Sequence, residues 1–198
     1  MPDTPPSADP FDLFAAWFDE AKRTEPNDPE AMTLATATPG GRPSVRVLLL
    51  KGVDRSGFVF YTNLESRKST ELLANPQAAM GFHWKSLRRQ VRIEGQVVAV
   101  AAAEADAYFA SRPHGSQIGA WASLQSHPLD ARASLERRVA EFTARYPEGS
   151  VPRPPYWSGY RVLPDSFEFW QNMPFRLHDR TIFERESGGG WRRGKLFP

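Results

Sequence analysis

Cysteine is missing altogether from this 198-residue chain. Its absence removes disulfides, thiolate nucleophiles and cysteine-ligated zinc together. Histidine is scarce: the four residues present are scattered, with none paired at ligand spacing, so no metal site is expected. No Gly-x-Ser-x-Gly elbow marks a serine hydrolase. No apolar run approaches the roughly 20 residues that span a bilayer. The Pro- and Asp-rich start lacks a basic-then-apolar leader, so a cytoplasmic protein without a membrane partner is expected. Neither sign of charge dominates, with 25 basic against 23 acidic side chains. That balance demands no nucleic-acid partner, and any anion site must come from local clusters. What remains is an ordinary globular composition, long enough to bury a real core.

The pattern along the chain predicts a flexible tail over residues 1–8 and one domain over 9–198. Asp9 followed by Pro10 is a helix-start signature. Leu13, Phe14, Trp17, Phe18 and Ala21 then recur at helical spacing, which predicts an amphipathic helix over 10–24. Strands are predicted at 32–38, 45–53 and 58–62, a short helix at 66–74, and strands at 77–84 and 89–100. Helices follow at 101–111, 116–124 and 129–146, then a Pro-rich connector over 147–155. Three strands close the chain, at 157–169, 175–186 and 191–196, with Gly188-Gly189-Gly190 as the last turn. No internal repeat is visible, and no Gly-rich phosphate loop follows the first strand. The reading is a mainly β, α+β fold: an antiparallel barrel with peripheral helices.

Cationic clusters carry the chemistry. Arg46 and Lys51 sit in one apolar strand, roughly 16 Å apart at about 3.3 Å per residue, too far to grip one phosphate. They fit two anions, two ends of one long ligand, or a strand with snorkelling cations. Tyr61-Thr62 ends a strand, and Ser66-Arg67-Lys68 opens a helix. Cations there oppose the helix dipole unless an anion sits among them. Arg88, Gln90 and Arg92 form an alternating polar row, suited to an imide-bearing ring or simply to solvent. Tyr108 and Arg112, four apart on a helix, share a face. Ser116 beyond the Pro break either caps the next helix or adds a hydroxyl to an anion site, with Gln125-Ser126 close behind. Finally, Arg176, His178 and Arg180 alternate in a predicted strand and so share one face, turned to an anion or to water. Two phosphate cradles, one for a cofactor and one for a small substrate, account for the most residues at once.

These residues together resemble one family. Arg46 to Lys51, Ser66-Arg67-Lys68, the Arg-Pro-x-x-Ser-Gln-Ile-Gly-Ala-Trp block at 112–121 and the Trp170…Arg176-Leu177-His178-Asp179-Arg180 block are similar to pyridoxine/pyridoxamine 5′-phosphate oxidases. The resemblance implies an FMN-binding split β-barrel that forms a homodimer with FMN at the subunit interface. It implies oxidation of pyridoxine and pyridoxamine 5′-phosphates by O2 to pyridoxal 5′-phosphate, with hydrogen peroxide, and ammonia from the amine. Carried over by position, Arg46, Lys51, Tyr61, Thr62, Arg67, Lys68, Gln90, Gln125, Ser126, Trp170 and Arg180 become the cofactor contacts. Lys51, Tyr108, Arg112, Ser116, Arg176 and His178 become the substrate contacts, Lys51 thus standing in both sets. Arg176 and His178 become the catalytic pair over the pyridine ring. Related flavin oxidases of phenazine biosynthesis tend to lose the Lys51-type residue and the Arg-Pro…Ser cradle; this chain keeps both.

Overall fold

The computed structural model describes residues 9–198; the tail expected over 1–8 lies outside them. Helix α1 (Pro10–Thr24) starts as its sequence dictates, with the Asp9 carboxylate accepting from the Phe11 amide at 2.8 Å. Strands β1 (Ala31–Ala37), β2 (Pro43–Leu49), β3 (Gly52–Asp54) and β4 (Gly57–Asn63) follow, then α2 (Arg67–Ala74). After them come β5 (Gln77–Trp84) and β6 (Arg89–Ala99), α3 (Ala102–Ser111), α4 (His114–Ala122) and α5 (Arg132–Arg145). Strands β7 (Trp157–Gln171), β8 (Asp179–Arg185) and β9 (Trp191–Lys195) end the chain. No helix among the described residues is long and apolar enough to cross a membrane.

All strand pairs are antiparallel, in the order β2-β1-β5-β6-β7-β4-β3, with β8 on β7 and β9 on β8. The sheet curls into a split barrel. Its inner face is set by strict alternation: Ala78, Met80, Phe82 and Trp84 of β5 and Val91, Ile93 and Val97 of β6 are all buried. Helix α1 lays Phe11, Phe14, Trp17 and Phe18 against this face. Phe14 meets Phe58 edge-on at 4.9 Å, and Trp17 meets Phe169 at 5.2 Å. Each such side chain contributes about 1.5–3 kcal/mol by burial alone. The helix is therefore the aromatic filling of the barrel.

The predicted strand over 45–53 is in fact two. Leu50 donates its amide to Glu30 beside β1, whereas Lys51 donates to Val59 of β4. The chain changes partners between those two residues. Because β2 and β3 are the two ends of the seven-strand path, this step carries the chain from one edge of the sheet to the other. Lys51 stands at that crossing.

The strand predicted over 175–186 also begins later, at Asp179. A 3-10 turn at Pro174–Arg176 precedes it, with Phe175 at φ 57° and Arg176 at φ 63°. The last β7–β8 pair is Gln171 with Asp179, so the intervening residues must reverse the chain rather than extend it. Arg176 and His178 consequently do not alternate with Arg180 on one strand face. Helix α4 begins at His114 with Pro113 as its cap, so Ser116 lies inside the first turn and caps nothing.

Candidate active site

The N-terminus of α2 is where the first cations gather. Ser66 caps the helix by backbone position only; its hydroxyl is turned to the Asn63 carbonyl at 2.7 Å, so no side chain closes the first turn. Lys68 is buried, and its ammonium donates to Thr62 Oγ1 (2.8 Å), Ser66 Oγ (2.8 Å) and Gln125 Oε1 (2.9 Å). All three acceptors are neutral, and no carboxylate of the described residues pairs with Lys68. Burial first, and the nearby Arg46 charge second, lower its pKa to about 8. Beside it, the Arg46 guanidinium reaches Thr36 Oγ1 and Ser44 Oγ, both at 2.6 Å. Arg67 reaches Glu71 at 2.9 Å. Burial would raise the Glu71 pKa, but hydrogen bonds from Ser44, Thr36 and Arg67 outweigh it and bring the carboxyl to about 2.

A cavity of about 400 Å³ adjoins this cluster. Lys51, Tyr61, Thr62, Tyr108, Arg112, Ser116 and Gln125 all line it, so seven of the residues singled out in the sequence converge in one place. The strand change at Leu50–Lys51 delivers Lys51, β4 delivers Tyr61 and Thr62, α3 and its C-cap deliver Tyr108 and Arg112, α4 delivers Ser116, and the turn after α4 delivers Gln125. Its wall is a stack of parallel rings: Tyr61 lies 3.9 Å from Tyr108 and 5.5 Å from Trp157. Burial, then the Glu104 carboxylate, push the Tyr61 hydroxyl up to about 12. It stays a neutral phenol.

Arg112 lies over Trp157 at 4.7 Å and over Phe109 at 5.6 Å, and no acid among the described residues meets it. Burial lowers its pKa, and its Nη1 is buried without a hydrogen-bond partner. An orphaned buried donor costs about 1–3 kcal/mol, more when charged. A phosphate ester entering this cavity would remove that cost. Ser126, just past Gln125, is exposed with φ 72°.

A second group forms elsewhere. Gln90, Trp170 and Arg180 are register partners across β6, β7 and β8, a single cross-strand row. The His178 ring packs on Trp170 at 4.5 Å, and its Nδ1 accepts from the Met173 amide at 3.3 Å. Arg180 is already ion-paired, with buried Glu168 at 2.8 Å, and Glu168 takes Arg92 on its other oxygen at 3.1 Å. That bond raises the Arg180 pKa. Arg176 is exposed on the turn. This row and the cavity occupy opposite ends of β7: Tyr61 pairs with Gly159, Gln90 with Trp170. Eleven residues of strand, about 36 Å at roughly 3.3 Å each, separate them along the chain.

Sequence reasoning missed the acids and one aromatic. Glu71 was detectable as the residue four after Arg67 on the same helix, and Glu168 as the residue two before Trp170 on the same strand face. Trp157 gave no signal, because only the fold brings it beneath Arg112.

Comparison with known proteins agrees with this geometry. The family model described as pyridoxamine 5′-phosphate oxidase matches residues 18–146, and that of the pyridoxine 5′-phosphate oxidase C-terminal dimerisation region matches 157–198. The chain is 65% identical over 195 residues to the pyridoxine/pyridoxamine 5′-phosphate oxidase of Rhodospirillum rubrum, with 96% of each chain covered. It is 64% identical over 191 residues to the enzyme of that name from Gluconobacter oxydans, covering 96% of this chain and 95% of the relative. Among solved structures, PhzG from Burkholderia lata in complex with tetrahydrophenazine-1-carboxylic acid superposes with a TM-score of 0.91 at 34% identity, over 98% of this chain and 95% of that one. A pyridoxamine 5′-phosphate oxidase-related, FMN binding protein from Nostoc punctiforme shares the fold, with a TM-score of 0.76 at 17% identity, over 96% and 98%. With both family regions matched in order and near two-thirds identity to curated relatives, this chain belongs to the pyridoxamine 5′-phosphate oxidase family.

Proposed function

We propose that the chain oxidises pyridoxine 5′-phosphate and pyridoxamine 5′-phosphate to pyridoxal 5′-phosphate, as a homodimer with FMN at the subunit interface. The observation that carries this reading is a buried ammonium, Lys68 at the start of α2, and a half-buried guanidinium, Arg112 on the aromatic stack, neither with an acid partner among the described residues. Two such cations suit two phosphate esters, one beside the other. Lys68, Arg67 and Arg46, with the uncapped first turn of α2, would hold the FMN phosphate, with Thr62, Gln125 and Ser126 beside it. Lys51, Tyr108, Arg112 and Ser116 would hold the substrate phosphate. Bound FMN would supply the redox chemistry, a two-electron acceptor for oxidation at the substrate C4′ carbon with oxygen as the final oxidant. The protein's own part is position and charge. Arg176 and His178 orient the pyridine ring for loss of hydride from C4′.

Gln90, Trp170 and Arg180 face the flavin ring in this reading. Because their row lies at the far end of β7 from the cavity, a second copy must bring one site's row to the other's cavity. Edge strand β2 offers a face for that contact, with Val45 65% and Val47 67% exposed. So does the matched dimerisation region, which ends with Phe197 93% exposed. Exposed apolar side chains repeated on one face of an edge strand suit an interface. The test is direct. The purified full chain should be yellow, should sediment as a dimer, and should make stoichiometric peroxide with each phosphorylated vitamer. A colourless preparation that refuses added FMN would end this reading.

A further inference from the structure

Glu71 has no place among the ligand contacts, yet it is the most heavily hydrogen-bonded acid in the molecule's cationic cluster. It is 6% exposed. Thr36 Oγ1 of β1 and Ser44 Oγ of β2 each donate to its Oε2 at 2.5 Å, and Arg67 Nε donates to its Oε1 at 2.9 Å. The same two hydroxyls accept from Arg46 at 2.6 Å, through Nη1 and Nη2 respectively. Arg46 Nη2 also lies 3.6 Å from Glu71 Oε2.

The direction of these bonds matters. A hydroxyl has one proton to give. With Arg46 donating to both hydroxyls, each gives its proton to Glu71 at 2.5 Å in preference to the other hydroxyl at 3.3 Å, and the carboxylate stays ionised to receive them. The carboxylate thereby holds one arginine directly and the other through two hydroxyls, tying β1, β2 and α2 together. We infer that Glu71 is a positioning residue that sets Arg46 and Arg67 in their phosphate-binding orientation before the cofactor arrives, an inference resting on the FMN reading above. Orientation in advance strengthens binding by cutting the ordering cost of two long side chains. The charges also close: Arg46, Arg67 and Lys68 less Glu71 leave two positive charges for a phosphate that carries about −1.5 to −2.

Glu71→Gln separates positioning from charge, because the two predict opposite signs. By charge alone, losing the carboxylate leaves three cations facing the phosphate and tightens FMN. If Glu71 positions the arginines, FMN weakens. The flavin-free full-length protein, wild type and variant, is titrated by fluorescence quenching with FMN and with riboflavin, which lacks the phosphate. Riboflavin affinity reports the ring site and any general damage; the FMN-to-riboflavin ratio reports the cradle. The expected result is a fall of about tenfold or more in that ratio for Glu71→Gln, with riboflavin unchanged. A ratio that stays level or rises overturns the inference. Should Glu71→Gln not fold, Ser44→Ala, which removes one of the two relaying hydroxyls, decides the matter: the ratio should fall about threefold or more, and no fall overturns it. Equal wild-type affinity for both flavins would instead remove the phosphate cradle, and the role of Glu71 with it.

Discussion

Lys68 spends all three of its donors on neutral oxygens and keeps its charge uncompensated in a buried position. Burial holds its pKa at about 8. A bound phosphate favours the ammonium and raises that value again. A pKa raised on binding gives affinity that is fully present below the free value and is lost as pH rises through the bound one. FMN affinity should therefore be level between about pH 7 and 8, above the phosphate's own titration near 6, and fall at higher pH. Lys68→Met should bind FMN more weakly and lose that fall; titrations at several pH values check it. Arg112 rests on Trp157 where a carboxylate might have been, which leaves its buried Nη1 for a ligand. Arg112→Met should raise KM for the phosphorylated vitamers about 10- to 100-fold, with less effect on kcat, in steady-state assays. Arg176→Ala should do the reverse: turnover drops, while the yellow flavin absorbance is retained.

Strand β7 is the element on which the layout depends. Its first half pairs with β4 and its second with β8, while β6 spans both. The boundary between the halves coincides with a register shift at Glu94/Gly95 of β6. A Cβ on Gly95 would stand 2.0 Å from the Leu163 carbonyl oxygen and 2.9 Å from Pro164 Cα, both backbone. Nothing flexible is there to yield. Gly95→Ala should destabilise the fold by at least the upper part of the roughly 1–3 kcal/mol typical of overpacking, measured by urea denaturation. Helix α2 illustrates the opposite economy: its eight residues hold Arg67, Lys68 and Glu71 within two turns, so one short element builds a whole ion cluster.

Edge strand β2 sends Ser44, Arg46 and Leu48 one way and the exposed Val45 and Val47 the other. An apolar edge face is a liability in a monomer, and natural sheets avoid it. In the dimer proposed above, whose cavity would take the Gln90-Trp170-Arg180 row from a second copy, this face would be the contact surface. Val47→Lys should shift the protein to monomers in analytical ultracentrifugation, and flavin should be lost in the same fractions. Monomers that keep their FMN would show that the partner's row is not needed.

At this scale the division between sequence and structure becomes clear. Helix α1, its Asp9 cap and the strands at 77–84 and near 89–99 were legible, because hydrophobic period and capping are local properties. So were Arg67 and Lys68 as first-turn cations of α2. The break at Leu50–Lys51 was not: nothing local separates one long strand from two, and only the competition of β1 and β4 for the backbone amides does. The Arg176 turn was equally hidden, since alternating residues read as a strand until the β7–β8 register leaves them in the hairpin loop. Glu71, Glu168 and Trp157 took their roles only from contacts across the fold. The order of residues thus determined the elements and the supply of cations. The tertiary structure alone decided which of those cations were given an acid; Lys68 and Arg112, held in the fold without one among the described residues, are where an anion has most to gain.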